Sequence, residues 1–133
     1  MRDRIQILGV TIDPLTMNET IDIVEQNVLE KRPLHLMGVN ADKINQCHTD
    51  EKIKKIVNES GIINADGASV VLASKFLGTP VPERVAGIDL MQSLLELSNN
   101  KGYSVYFFGA KEEVLQDMLK AFKNDYPNLI VVG

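Results

Sequence analysis

Cysteine is nearly absent from this chain: Cys47 is the only one, so no internal disulfide can form. A reducing compartment suits such a chain, and Cys47 reads as a small core residue. Basic clustering is absent too. Fourteen Lys and Arg are scattered among 18 Asp and Glu, for a net charge of −4. Neutralising phosphates along a nucleic acid needs a massed basic footprint, so no nucleic-acid partner is expected. No stretch approaches the roughly twenty consecutive apolar residues that span a bilayer. Met1-Arg2-Asp3-Arg4 lacks the apolar core of a signal peptide, so the sequons at Asn18 and Asn58 carry no weight. Nucleotide and metal fingerprints are missing as well. Neither G-x-x-x-x-G-K-S/T nor G-x-G-x-x-G occurs, and Glu112 stands where a P-loop hydroxyl would follow Lys111. One Cys and two His make no zinc set, and no D-x-D cluster offers itself to magnesium. A metal-independent chemistry without a cofactor is the expectation.

What is present is a steady alternation of strand and helix patterns. With 44% hydrophobic and 24% charged residues, residues 1–133 predict one soluble domain. Ile5 to Ile12 reads as a bent or edge strand interrupted by Gly9. Thr16-Met17-Asn18-Glu19 has capping-box spacing and opens a helix along Met17, Ile21, Val24 and Val28, which Pro33 ends. Leu34 to Val39 reads as a buried parallel strand. Helical patterns follow from Asn40 through Cys47 and again from Thr49 to Ser60-Gly61. Ile62 to Ala65 is a short strand, and Ser69 to Leu77 and Ile88 to Leu97 are helices. Tyr103 to Phe108, dense in aromatic and β-branched residues, is the strongest strand candidate. A helix along Leu115, Met118, Leu119 and Phe122 stops at Tyr126-Pro127, and Leu129 to Val132 begins another strand. This order predicts an α/β fold, a mostly parallel sheet covered by helices. The chain stops on that last strand, as a C-terminally truncated piece of a longer protein would.

Asp66 is the most informative residue. It closes the apolar run Ile62-Ile63-Asn64-Ala65 and precedes Gly67, Ala68 and Ser69. A carboxylate at a strand end before a helix sits where open α/β sheets bind ligands. There it can take a proton while a guanidinium holds phosphate oxygens, and Arg84 in the loop Pro82-Glu83-Arg84-Val85-Ala86-Gly87 is the candidate. The plainer reading makes Asp66-Gly67 a turn with Asp66 as helix cap. Asn40 has the same duality: it can bind sugar or phosphate at a helix N-terminus, but capping is the ordinary role of Asn there. Gly109 and Ala110 allow backbone amides to approach a phosphate, or else form a tight strand-to-helix turn. Asn40, Asp66 and Gly109 all end predicted parallel strands, and neighbouring strands would bring them to one crevice. Glu83 reads as a surface partner of Arg84, and His35 as a satisfied core residue.

Four segments occur in order: Gly38-Val39-Asn40-Ala41-Asp42, Asn64-Ala65-Asp66-Gly67-Ala68-Ser69, Pro82-Glu83-Arg84-Val85-Ala86-Gly87-Ile88-Asp89-Leu90-Met91 and Phe107-Phe108-Gly109-Ala110. Together they resemble the WecG/TagA/CpsF glycosyltransferases across essentially the whole chain, as the N-terminal part of a longer family member. The resemblance implies a Rossmann-like catalytic domain with a UDP-sugar donor and a polyprenyl-diphosphate-linked sugar acceptor. It places Asp66 at the general-base position, Arg84 beside the donor diphosphate, and Asn40 as a polar active-site residue. Gly38 departs from the family, which often has Thr two residues before this Asn.

The reading implied is inverting, metal-independent transfer of N-acetylmannosamine from its UDP donor to undecaprenyl-diphosphate-linked N-acetylglucosamine. Wall teichoic acid or another cell-surface polysaccharide would be the product's destination. Asp66 and Arg84 would be catalytic, with Asn40, Gly67, Gly109 and Ala110 binding substrate. Such an enzyme would be cytoplasmic and peripheral at the inner face of the membrane, with membrane contact supplied by further C-terminal sequence. This piece alone is expected to be inactive and able to self-associate through uncovered apolar surface. The rival readings are a non-catalytic nucleotide-binding module, and a family transferase using UDP-N-acetylmannosaminuronic acid or UDP-glucose.

Overall fold

A computed structural model describes residues 3–133; Met1 and Arg2, half of the segment read against a signal peptide, lie outside it. The chain forms two compact units, up to Leu90 and from Met91 onward.

In the first unit, Ile5–Ile7 (β1) and Val10–Ile12 (β2) pair antiparallel. The sequence suggested one interrupted strand here, and the chain makes a hairpin instead. Leu8 and Gly9 both hold positive φ, 49° and 81°, which tight two-residue hairpin turns need. Gly9 therefore reverses the chain and does not merely bend it.

Helix α1 (Met17–Leu29) starts as its sequence predicts. The Thr16 hydroxyl accepts the Glu19 N–H at 3.1 Å, and the Glu19 carboxylate accepts the Thr16 N–H at 3.1 Å. Two otherwise orphaned donors are satisfied reciprocally. Thr16→Ala is expected to cost about 1 kcal/mol in urea unfolding, and no measurable cost would deny the box its role. The helix stops before Pro33 is reached. Lys31 turns to a φ of 54°, and the Arg32 N–H closes back on the Asn27 carbonyl.

Leu36–Val39 (β3) and Ile62–Ala65 (β4) pair in parallel, joined by α2 (Ala41–Thr49) and α3 (Glu51–Asn58). Asp50 separates those helices and caps the second, its carboxylate accepting the N–H groups of Lys52 and Ile53. β4 is buried throughout, whereas in β3 only Val39 is. The fully buried strand predicted over Leu34 to Val39 is thus shorter and partly open, because β3 has only β4 beside it.

On its other edge β4 meets no third strand. The Asp13 N–H donates to the Ile63 carbonyl at 2.7 Å, and the Ile63 N–H donates to the Asp13 carboxylate at 2.8 Å. Further along, the Val85 N–H donates to the Ala65 carbonyl at 2.8 Å. Single residues from two loops thus satisfy backbone groups that a strand would otherwise take. The ladders are consequently two-stranded, and the predominantly parallel sheet is realised as two parallel pairs and one hairpin. The class is α/β.

Asp13 is buried and paired with Arg4, whose Nε and Nη2 donate to its two oxygens at 2.8 and 3.2 Å. Arg4 also donates to the carbonyls of Ser60 and Gly61. One ion pair thus fastens the hairpin segment to the start of β4. Around it Ile7, Val10, Ile12, Val39, Ile44, Val57, Ile63 and Val70 form the core, with Cys47 among them. Burial pushes the Cys47 thiol above its usual range, against the opposing pull of Lys43 and Lys54. His35 is exposed, its Nδ1 3.3 Å from the Ser60 hydroxyl, so it is not the core residue its apolar neighbours suggested.

Ala68–Phe76 (α4) follows β4, and α5 (Gly87–Lys101) crosses from the first unit into the second. In the second unit, Ser104–Val105 (β5) and Ile130–Val131 (β6) pair in parallel around α6 (Glu112–Asp125). The strand predicted over Tyr103 to Phe108 is only two residues long. Its partner is equally short, although the Phe107 N–H still reaches the Gly133 carbonyl at 3.0 Å. Phe107, Phe122 and Tyr126 pack ring to ring at centroid separations of 5.6 and 5.7 Å. Among the described residues, no helix is long and apolar enough to cross a membrane.

Candidate active site

The site is assembled where β3 and β4 end side by side. Val39 and Ala65 are register partners, so Asn40 and Asp66 leave the ladder at the same level. The Asp66 and Gly67 N–H groups both point to the Val39 carbonyl, at 2.9 and 3.4 Å. A Cβ on Gly67 would lie 3.3 Å from both Cα and Cβ of Asn40. Glycine at 67 therefore lets the two strand-end loops close on each other.

The two duplicate readings separate here. Asn40 is the N-cap of α2, its Oδ1 accepting the Lys43 N–H at 2.9 Å. Its side-chain NH2 takes no part in that cap. Asp66 is not a cap. The N-cap of α4 is Gly67, which makes no side-chain cap hydrogen bond. The Asp66 carboxylate instead projects from the strand end, 31% exposed.

Arg84 is aimed at this point by the loop that carries it. Val81, Glu83 and Val85 each tie the loop to a different element. The Val81 N–H donates to the Ser74 hydroxyl of α4 at 3.1 Å, and Val85 is bonded to β4. The Glu83 carboxylate accepts the Met17 N–H at the start of α1 at 2.5 Å. Glu83 is thus a loop anchor at a helix N-terminus, where a negative charge is favoured, and not a surface partner of Arg84. With 81, 83 and 85 engaged, Arg84 faces Asp66. Its Nε donates to the Asp66 backbone carbonyl at 2.5 Å, and its Nη2 lies 4.0 Å from the carboxylate. The Arg84 side chain is 54% exposed.

Behind the carboxylate stand two glycines. A Cβ on Gly38 would approach Asp66 Oδ2 to 2.9 Å, and one on Gly87 would approach it to 3.4 Å. The sequence marks Gly38 only as a departure from the family's Thr, although a glycine within a strand is itself a sign of close approach. Asn64, buried one turn of the pleat before Ala65, donates to the Thr20 hydroxyl at 3.1 Å and so anchors β4 to α1.

Asn40, Asp66, Gly67 and Arg84 all come together in the first unit. Gly109 and Ala110 belong to the second. They form the turn from the β5 segment into α6, with φ of 109° and 58°. No atom lies within 4 Å of a Cβ placed on Gly109, so glycine serves the backbone conformation there and not a crowded contact. Ala110 holds a left-handed conformation that an L-residue adopts only at some cost. Among the described residues, no three His, Cys, Asp or Glu side chains gather as metal donors.

A partly exposed carboxylate beside a guanidinium, at the carboxyl ends of two parallel strands, stands where open α/β sheets bind ligands. The model of the glycosyl transferase WecG/TagA/CpsF family matches residues 5–133. Similar proteins include the N-acetylglucosaminyldiphosphoundecaprenol N-acetyl-beta-D-mannosaminyltransferases of Staphylococcus aureus strains COL and NCTC 8325 / PS 47. Each is 29% identical over 128 residues, which cover 95% of this chain and 50% of the relative. The chain therefore spans about half the length of the curated relatives it matches. With that model matching nearly the whole length, the chain belongs to the WecG/TagA/CpsF family of glycosyl transferases.

Proposed function

We propose that this chain carries the proton-accepting side of a hexosyltransferase that moves N-acetylmannosamine from a UDP donor to polyprenyl-diphosphate-linked N-acetylglucosamine. The observation that carries the reading is Asp66, a strand-end carboxylate excused from helix capping and held beside Arg84. The names of the Staphylococcus aureus relatives support the sugar and the acceptor.

In the proposed reaction the acceptor hydroxyl oxygen attacks the anomeric carbon of the donor sugar. Its proton passes to the Asp66 carboxylate as the new glycosidic bond forms. The bond from the anomeric carbon to the diphosphate oxygen breaks with inversion, and the electron pair leaves on UDP. Arg84 and the N-terminal amides of α2 and α4 favour that developing negative charge. No covalent intermediate on the enzyme is needed. Gly109 and Ala110, in the second unit, are proposed to offer backbone amides to a phosphate. The product would feed wall teichoic acid or another surface polysaccharide, made at the inner face of the membrane.

The test is UDP release by the intact enzyme with a soluble lipid-linked N-acetylglucosamine acceptor. Acceptor-dependent release is expected with UDP-N-acetylmannosamine and not with UDP-glucose or UDP-N-acetylmannosaminuronic acid. Preference for either of the latter overturns the sugar assignment. Nucleotide binding without release from any donor would favour the non-catalytic module.

A further inference from the structure

The loop that carries Arg84 is fixed in the core at both ends. Val81 and Val85 are buried, and their N–H groups are bonded to the Ser74 hydroxyl of α4 and the Ala65 carbonyl of β4. Pro82, Glu83 and Arg84 between them are exposed. What reaches from this tip to a third element is the Glu83 carboxylate, which accepts the Met17 N–H at 2.5 Å. Met17 is the first residue of α1, where the N–H has no partner within the helix and the helix dipole favours a carboxylate. Helix α1 is tied in turn to β4. Asn64, two residues before Asp66, donates to the Thr20 hydroxyl at 3.1 Å, and that hydroxyl donates to the Thr16 carbonyl at 2.9 Å. Asn64 and Thr20 are both buried. A closed circuit results. It runs from β4 through Asn64 and Thr20 to the first turn of α1, across Glu83 to the loop tip, and back through Arg84 to the Asp66 carbonyl.

We infer that Glu83 is a positioning residue: by holding the N-terminus of α1 it fixes the loop tip, and so the place of the Arg84 guanidinium beside Asp66. The inference rests on the reading of Arg84 as the group that favours charge on the leaving diphosphate. Without the Glu83 carboxylate the buried ends of the loop stay in place and the tip swings between them. The guanidinium then no longer stands at one point when the diphosphate departs. A displacement near 1 Å costs roughly a hundredfold in rate, and a tip held at both ends moves less, so about tenfold is the expected loss.

The bond can be cut from either end. Glu83→Ala removes the acceptor. Met17→Pro removes the donor, 66 positions away in the chain, at a place that suits proline. Residue 17 is the first helical position, and Thr16 before it is already extended, with φ of −80° and ψ of 167°. In the intact enzyme, with UDP-N-acetylmannosamine and a soluble lipid-linked acceptor, both changes are expected to lower kcat/KM for the donor about tenfold in a protein that still melts cooperatively. Met17→Ala keeps the N–H and Glu83→Gln keeps an acceptor of the same shape, so both should stay within about threefold of wild type. In an Arg84→Ala background, Glu83→Ala should lower kcat/KM no further, since the group it positions is gone. Wild-type kcat/KM in Glu83→Ala and Met17→Pro, alongside a slow Arg84→Ala, would overturn the inference and leave Arg84 in the chemistry. A slow Glu83→Ala with a fast Met17→Pro, or a Glu83→Gln as slow as Glu83→Ala, would put the Glu83 charge itself to use and overturn the anchor. Equal losses with and without Arg84 would overturn it too. A fully active Arg84→Ala would remove the arginine from the reaction, and this role of Glu83 with it.

Discussion

Replacing Asp66 with asparagine is expected to slow sugar transfer by about a hundredfold or more while the protein stays folded. The amide matches the carboxylate in shape but cannot accept the acceptor's proton. Little stability is at stake, for three reasons in the geometry. The Asp66 side chain caps no helix, because Gly67 holds the N-cap of α4. The short bond from Arg84 goes to the backbone carbonyl of Asp66, which the substitution leaves in place. The remaining ion pair spans 4.0 Å between partly exposed groups, a class worth roughly 0–1 kcal/mol. UDP release and thermal melting, measured together, check both halves. Transfer near the wild-type rate would remove Asp66 from the chemistry, and loss of activity with loss of fold would make it structural.

The second large effect is on stability. Asp13→Ala is expected to cost about 1–3 kcal/mol, a sizeable part of the roughly 5–15 kcal/mol that holds a typical domain together. The Asp13 side chain is fully buried and accepts from Arg4 twice and from the Ile63 N–H once. Removing it leaves a buried β4 amide without its partner and takes the carboxylate from Arg4, which is partly exposed and keeps its bonds to the Ser60 and Gly61 carbonyls. Asp13→Asn retains an acceptor for Ile63 and should lose less. Urea unfolding of the three proteins reads these differences directly. A cost below about 1 kcal/mol for Asp13→Ala would mean that the pair barely contributes beyond what water supplies.

Both predictions concern carboxylates that look alike in the sequence, each polar and next to an apolar run. Asp66 stood out because it precedes Gly67 at a strand end and belongs to a family motif. Asp13 gave no such sign, since its partner strand is fifty residues away. Among the helix starts, Thr16 with Glu19 and Asn40 were legible because a cap binds an amide two or three positions onward. The hairpin at Leu8-Gly9 was misread as one strand: a glycine between β-forming residues suits either a bend or a reversal. His35 was misplaced because apolar neighbours along the chain do not decide which face a strand buries.

By itself, the sequence determined the α/β alternation, the capping box, the Asn40 cap and the strand-end place of Asp66, with the motifs that mark the family. These follow from periodicity and from contacts within one helical turn, so nearby residues suffice to specify them. Tertiary structure alone decided that Asp66 is released from capping and that Arg84 turns toward it. It alone decided that Glu83 anchors the loop and that Asp13 completes the edge of β4. Each of these depends on residues far apart in the chain meeting at hydrogen-bond distance. Such meetings are set by how the elements pack against one another, and neither residue of the pair records it alone.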